Sequence, residues 1–505
     1  MNSVNVYQPQ VSVTLHKLNA RKTLNGKDPV SNRFASVGQM VDLTQLLGDG
    51  AGWRTTKGVR EPAGGFSITL VDAPLHFGGA LDSLAGVIEP MDAIEIRFRH
   101  GPAAAGSNPA QIPILMRGFI SRIKRSETMG SDGKPQRTIT ITGLDYGGVL
   151  QRLQVKFLPG YQSGSDLLTG FKLFELFGAG YATALKVNDF AKQMFDKVIN
   201  PYLSAMLAGL SQRESAQTPV YPSLPASIKV EAAVRGTSAI TQIQAAEGNI
   251  SSLLRRWTDT GLWNEGYIED RDDGVYYVLR PNPFLGIDGK PIQSDAPTLE
   301  PITLPDIDVL SLDLDRSDDG VSNFFWIHAP EMDMISDDFT RRQWGLASGA
   351  DRETIDLSGY MNSAVGTFGL RLMEADSHTG AEDIKSMDSG KSEDENQQRD
   401  QSMHDWISDR RQILADTNRD NVLFESGTMR VRAREELKGG SYVRLVRGAF
   451  SAIYYVVKVD TDYVFGQGVF QTLHVERGTG FIERIRQGGI SSPYLAEMTT
   501  AVNGA

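Results

Sequence analysis

Few residues of this chain have the types and spacing that chemistry requires. Ser389-Gly390-Lys391-Ser392 ends as a phosphate-binding loop ends, but the leading glycine of that motif falls at position 385, where Lys385 stands. Its surroundings are acidic and no strand-like run precedes it, so nucleotide binding is not expected there. Asp313, Asp315, Asp318 and Asp319 supply closely spaced oxygen ligands of the kind calcium takes. Counted from Asp313, a calcium-binding hand needs glycine at 318 and glutamate at 324; the chain has Asp318 and Phe324, so a solvated turn is expected instead.

The seven histidines are scattered. No His-x-x-x-His, His-Glu-x-x-His or Gly-x-Ser-x-Gly occurs, which removes the common zinc-protease and hydrolase-elbow chemistries. Carboxylate pairs for glycoside cleavage need only about 5 to 9.5 Å between the two groups in the fold, so 62 acidic residues make coincidental pairs common. Tyr276, Tyr277, Phe324, Phe325 and Trp326 have faces on which sugars or bases stack, but aromatics in β-runs more often serve a core or an interface. No catalytic, cofactor-binding or metal-binding residue is expected.

With no cysteine, disulfides, thiolate nucleophiles and cysteine metal sites are excluded. A net charge of −11 repels phosphate backbones, which disfavours sequence-independent nucleic-acid binding and suits a channel through which DNA slides without sticking. Apolar residues at 40% and charged residues at 22% describe a soluble globular chain, and 505 residues suggest several cores. No stretch approaches the roughly 18 to 20 uncharged apolar residues of a membrane span, and Met1–Gln10 lacks the features of a signal peptide, so synthesis and folding in a cytoplasm are expected.

Alternation predicts strands at Phe66–Asp72, Asp92–Phe98, Ile114–Ile123, Arg137–Thr142 and Ile228–Val234, with a Gly/Pro/Ala-rich hairpin tip at Gly101–Pro109. Apolar spacing turns helical over Ser165 to Leu210, and a short helix is predicted at Ile250–Trp257, capped by Asn249 or Ser251. A hairpin is expected over Tyr267–Pro283 and strands at Asp306–Leu314 and Asn323–His328. Asp376–Arg399 is nearly devoid of large apolar residues and reads as an exposed linker, followed by a helix over about Gln401–Asn418 and a β block over Thr428–Ile485.

The late β block repeats the early one in its order of features. A turn at Pro90–Asp92, strand Ala93–Arg99, strand Ile114–Arg125, a glycine turn and strand Thr138–Thr142 are echoed by Gly439-Gly440, Tyr442–Arg447, Ala452–Thr461, Phe465–Gly468 and Phe470–Glu476. Two similar small barrels in one chain let a trimer present six quasi-equivalent modules around an axis.

Three stretches share short motifs with a known family. The first runs from Ser252-Leu253-Leu254-Arg255-Arg256-Trp257 through Gly261-Leu262-Trp263-Asn264-Glu265 to Tyr277-Val278-Leu279-Arg280-Pro281-Asn282-Pro283-Phe284, a Trp-Asn-Glu element, a hairpin and an Arg-Pro-x-Pro-Phe-like end. The second is Leu312–Ala329, with Arg316-Ser317 ahead of Val321-Ser322-Asn323-Phe324-Phe325; the third is Asn421–Arg434, around Glu425-Ser426-Gly427. In these motifs the chain resembles bacteriophage tail hub proteins, and the resemblance spans most of residues 60–490. The acidic linker and the Gly101–Pro109 loop depart from the family pattern.

The resemblance implies a mainly β fold with an α+β insert, in which two similar antiparallel β-barrel hub domains are separated by helical and mixed α/β segments. The expected organisation is a first barrel at 1–150, a helix-rich insert at 151–248, a mixed domain at 249–374, an acidic flexible linker at 375–401, a helix plus second barrel at 402–490 and a tail at 491–505. It further implies a non-enzymatic structural subunit of a virion tail baseplate, assembled in the host cytoplasm. A homotrimeric pseudo-six-fold ring would join the tail tube to the spike, contact other baseplate proteins, and pass genomic DNA and tape measure through its lumen. The rival expectations are a hub-associated cell-wall hydrolase, with residues 165–210 as its seat, and a hub or spike component of a contractile injection or secretion system. Interface strands Tyr442–Arg447 and Ala452–Thr461 are expected to be buried by neighbouring subunits.

Overall fold

The computed structural model describes residues 9–18, 40–48, 51–72, 75–77, 80–101, 112–130, 133–155, 183–210, 224–240, 248–328, 360–381 and 393–488. The strands used below are β1 Gln10–His16, β2 Gly52–Gly58, β3 Gly65–Val71, β4 Ala93–Arg99, β5 Ile114–Met129 and β6 Pro135–Asp145. Then come β7 Ile228–Ala232, β8 Asn264–Arg271, β9 Gly274–Pro281, β10 Ile302–Pro305, β11 Val309–Asp315, β12 Phe324–His328 and β13 Leu372–Asp376. The last four are β14 Glu425–Arg432, β15 Ser441–Arg447, β16 Phe450–Val464 and β17 Gly468–Gly478. The helices are α1 Gly147–Arg152, α2 Val187–Met194, α3 Asn200–Leu210, α4 Ile250–Trp257, α5 Glu393–Asn418 and α6 Gly480–Gly488.

A single 13-stranded sheet carries both β blocks. In its first half the strands lie in the order β2-β3-β6-β5-β4-β1, and in its second half β11-β14-β17-β16-β15-β10. With the short strand Met40–Asp42, which adds to β1 at the outer end of the first half, set aside, both orders read 2-3-6-5-4-1 when numbered by chain position within each half. Each half also ends in a helix, α1 after β6 and α6 after β17. The longest strand of each half carries a bulge against the next strand, between Ile120 and Arg122 on β5 and between Val456 and Lys458 on β16. The repetition is therefore one of topology and register, with two departures: Met40–Asp42 has no counterpart in the second half, and β1 runs antiparallel to β4, whereas β10 runs parallel to β15.

Alternation explains the strands. Ile94, Ile96 and Phe98 on β4, Ile139 and Ile141 on β6, and Phe66, Ile68 and Leu70 on β3 all enter the first core. Met429 and Val431, Val443 and Leu445, and Leu473 and Val475 do the same in the second. Between the halves, the β8–β9 hairpin turns at Asp272-Asp273 and pairs with β7. It rests on α2, a π turn at Phe195–Ile199, α3 and α4. In α4, Asn249 accepts a hydrogen bond from the Ser252 amide at 2.8 Å, and Ile250, Leu253, Leu254 and Trp257 face the core.

The structure departs from the sequence-based organisation in several places. The two β blocks are joined edge to edge into one sheet, because β2 pairs with the outer part of β16. Residues 302–315, expected in the mixed domain, supply β10 and β11 to the second half. Of the expected linker 375–401, residues 375 and 376 end β13, which pairs with β12; Ser377 and Thr379 are buried on Asp259; and α5 begins at Glu393. Residues 382–392 lie outside the described residues. Ser377 and Thr379 satisfy the buried Asp259 carboxylate, a role that low hydrophobicity does not reveal. Residues 102–111 and 156–182, which include most of the expected hairpin tip and the start of the expected helical insert, also lie outside the described residues.

Candidate assembly interface

The junction between the halves is built from side chains of both edges. Opposite residues run from Lys458↔Gly58 to Val464↔Gly52. Gly52 permits the approach, since a Cβ there would stand 2.4 Å from the Tyr463 carbonyl oxygen. Trp53 stacks on Tyr463 at 5.9 Å between ring centroids on the core side. On the other face Arg54 reaches Asp460 at 3.0 Å and Asp462 at 3.5 Å, and Thr56 donates to Asp460 at 2.7 Å. Burial pushes the Asp460 carboxyl up, but hydrogen bonds from Thr56, His474 and Arg54 outweigh it and hold the group below the usual carboxylate range. The seam is thus basic on β2 and acidic on β16.

The Trp-Asn-Glu element and the Arg-Pro-Asn-Pro-Phe end form a strut between the hairpin and the second half. Trp263 donates its indole N–H to the Arg410 carbonyl at 3.1 Å, and Asn264 donates to the Thr258 carbonyl at 2.8 Å. Glu265 pairs with Arg280 at 3.0 Å and accepts the hydroxyl of Tyr455, with its carboxyl pushed up by burial. Arg280 also donates to the Gly440 carbonyl at 2.6 Å, Tyr442 donates to the Pro283 carbonyl at 3.0 Å, and Phe284 meets Tyr455 edge-on at 5.5 Å. These residues position β15 and β16 against the hairpin.

A second charged cluster ties the first half to the hairpin. Lys57 sits between Asp145, at 3.3 Å, and Asp270, at 2.5 Å. Burial, with the neighbouring Asp270 charge added, pushes the Asp145 carboxyl up to about 6 against the pull of Lys57. Both carboxylates are only 1% exposed, so this pair is sealed from a polysaccharide chain. His100, Glu435 and Glu436 also converge, with His100 Nδ1 on Glu435, and so link the end of β4 to the second half.

The residues weighed from sequence fall as follows. Asp313 and Asp315 alternate with Leu312 and Leu314 on β11 and point outward, Asp318 is held by Arg371, and no loop gathers the four around one point. Tyr277 packs on Phe195 at 4.9 Å, while Tyr276 lies between Lys229 at 4.8 Å and Arg271 at 4.2 Å. Phe325 is in a core, Phe324 is 45% exposed, and Trp326 lies near His328. Ser389–Ser392 lies outside the described residues.

Tyr442–Arg447 and Ala452–Thr461, expected to be covered by neighbouring subunits, are already buried within the chain. β15 is flanked by β10 and β16, and β16 by β15, β2 and β17. Long apolar strands report burial, not which edge is free. Edges lie elsewhere among the described residues: Met40–Asp42 pairs only with β1, β10 only with β15, β11 only with β14, and beyond its bulge β5 only with β6. Exposed apolar side chains lie on or beside β11 and β5, with Ile307 in the turn before β11 at 73%, Leu310 at 48% and Met129 at 72%. Sequence reasoning missed β1 and β2 entirely. β1 carried a signal in the alternation of Val11, Val13 and Leu15; β2, with Trp53 as its only large apolar residue, carried almost none.

No family model matches the chain, and no curated protein matches it. Solved structures do. The chain is similar to a tail protein from Neisseria meningitidis MC58, with TM-score 0.42 and 11% identity over 92% of this chain and 96% of that one. It is similar to the 43 kDa tail protein of prophage MuSo2 from Shewanella oneidensis, with TM-score 0.40 and 10% identity over 93% and 96%. Its structural neighbours are phage tail proteins. Also among them is the E. coli c3393 protein, described as a type VI secretion component with structural similarity to the phage T4 tail proteins gp27 and gp5. That match has TM-score 0.35 and 8% identity over 84% of this chain and 72% of that one.

Proposed function

We propose that this chain is a non-enzymatic structural hub subunit of a phage tail. Three copies close into a ring of six quasi-equivalent modules, which joins a six-fold tube to a three-fold spike and surrounds the channel for DNA. The observation that carries this is the repeated strand order, 2-3-6-5-4-1 in both halves once the short strand Met40–Asp42 is set aside, with the halves fused edge to edge in one sheet. Duplication of a module within one chain converts three-fold assembly into near six-fold geometry. The net charge of −11 fits a lumen that does not hold DNA.

The test is the mass of the purified protein by light scattering behind a sizing column across a concentration series. A mass near three times 55.3 kDa is the expected result. A single-chain mass at every concentration, together with release of soluble fragments from peptidoglycan, would overturn the proposal in favour of a wall hydrolase.

A further inference from the structure

The internal seam has a counterpart between copies. Aligning the halves on their bulges sets Ile120 against Val456 and Arg122 against Lys458, so the outer part of β5 corresponds to the part of β16 that β2 covers. Following the β3–β6 and β14–β17 registers outward sets Arg54 on β2 against Asp313 on β11. Each half therefore owns one edge strand and one acceptor strand. Within the chain, one edge strand and one acceptor are joined to each other; β11 and the outer part of β5 are left over.

We infer that β11 of one copy adds, antiparallel, to Arg122–Thr128 of β5 of a second copy, in the register of the internal seam. This deepens the ring proposal and rests on it. Transferring the observed register places Lys124 opposite Asp315 and Ser126 opposite Asp313, with Arg122 diagonal to Asp315 and Lys124 diagonal to Asp313. Arg122, Lys124, Asp313 and Asp315 are all exposed. Opposite charges therefore meet across the new seam on one face. On the other face Leu312 and Leu314 come alongside Ile123 and the stems of Arg125 and Glu127.

The polarity of the two seams is reversed, and this makes them non-interchangeable. In the internal seam the edge strand β2 is basic and the acceptor β16 acidic. Between copies the edge strand β11 is acidic and the acceptor β5 basic. Were β11 to add to β16 instead, Asp315 would face Asp460 and Asp313 would face Asp462. Were β2 to add to β5, Arg54 would lie diagonal to Lys124. Both wrong pairings set like charges together, so each edge finds its own acceptor and the modules alternate around the ring.

The chain has no cysteine, so engineered ones report cleanly. Full-length Ser126→Cys and Asp313→Cys proteins are prepared separately, mixed, oxidised and compared with each alone by non-reducing electrophoresis. Lys124→Glu, Asp315→Lys and the double variant are sized beside the wild type. The expected results are a two-chain disulfide product in the mixture, association weakened at least roughly tenfold in each charge variant, and recovery in the double variant. An oligomeric wild type that gives no such product overturns this seam and leaves the ring standing. A single-chain wild type with no product overturns both. Cross-linking without loss or rescue in the charge variants overturns the charge matching alone.

Discussion

Lys17 and Asp92 show what a buried charge does in this sheet. Their side chains are 1% and 0% exposed and 2.7 Å apart, and Asp92 also accepts the amides of Leu18 and Glu89, each at 2.9 Å. Lys17→Ala leaves that carboxylate buried without its cation, and the expected cost is about 3–5 kcal/mol. A lower urea midpoint at unchanged slope measures it. Asp145 has the opposite sign. Its folded-state value of about 6 lies above the ordinary 3.8, so within that interval the native state holds a proton that the unfolded chain has released. Stability from this group is therefore lost as pH rises from 3.8 to about 6, by on the order of 3 kcal/mol in all. Asp145→Asn is expected to remove this slope in urea titrations across the interval. None of these partnerships was legible in the sequence. Arg410, enclosed by Trp406 at 4.3 Å and Trp263 at 5.6 Å, shows why: a charged residue in a polar helix reads as solvent-facing until tertiary neighbours are known.

Among elements, β11 depends on a glycine across from it. Gly427 has φ of +145°, and a Cβ there would lie 2.1 Å from the Asp313 carbonyl oxygen. Gly427→Ala forces β11 off β14 at a cost of roughly 1–3 kcal/mol. Because β11 is the edge offered to a second copy, the variant is also expected to lose oligomer mass in sizing experiments while retaining the far-ultraviolet signal of the sheet. Legibility among elements followed apolar alternation in most cases, although β1 went unseen with Val13 and Leu15 buried. The strands of β4, β5, β6, β8, β9, β15, β16 and β17 were visible because an apolar face at period two writes itself into sequence. α4 was found with its cap because Asn249 and the apolar face beyond it obey local rules. β2 was not visible, since its pairing is satisfied by backbone and polar partners. Within α5, the start at Glu393 was hidden by a composition that resembles a linker.

For the whole molecule, the continuous sheet predicts one cooperative unfolding transition by calorimetry, where two independent barrels would give two. The similarity of the halves was legible as an order of features, but their fusion was not. It rests on contacts such as Thr56 with Asp460, 404 positions apart, and no local pattern encodes a pairing at that range. The fusion also alters the kinetics of the proposed ring. A strand tethered to its acceptor by the same chain meets it at an effective concentration that dilution does not change. Half of the six junctions would thus close during folding, and only three would wait on diffusion. A ring of single-module subunits would need six such encounters, each slowed when protein is scarce, so the duplicated chain would complete its ring at expression levels too low for an unduplicated one.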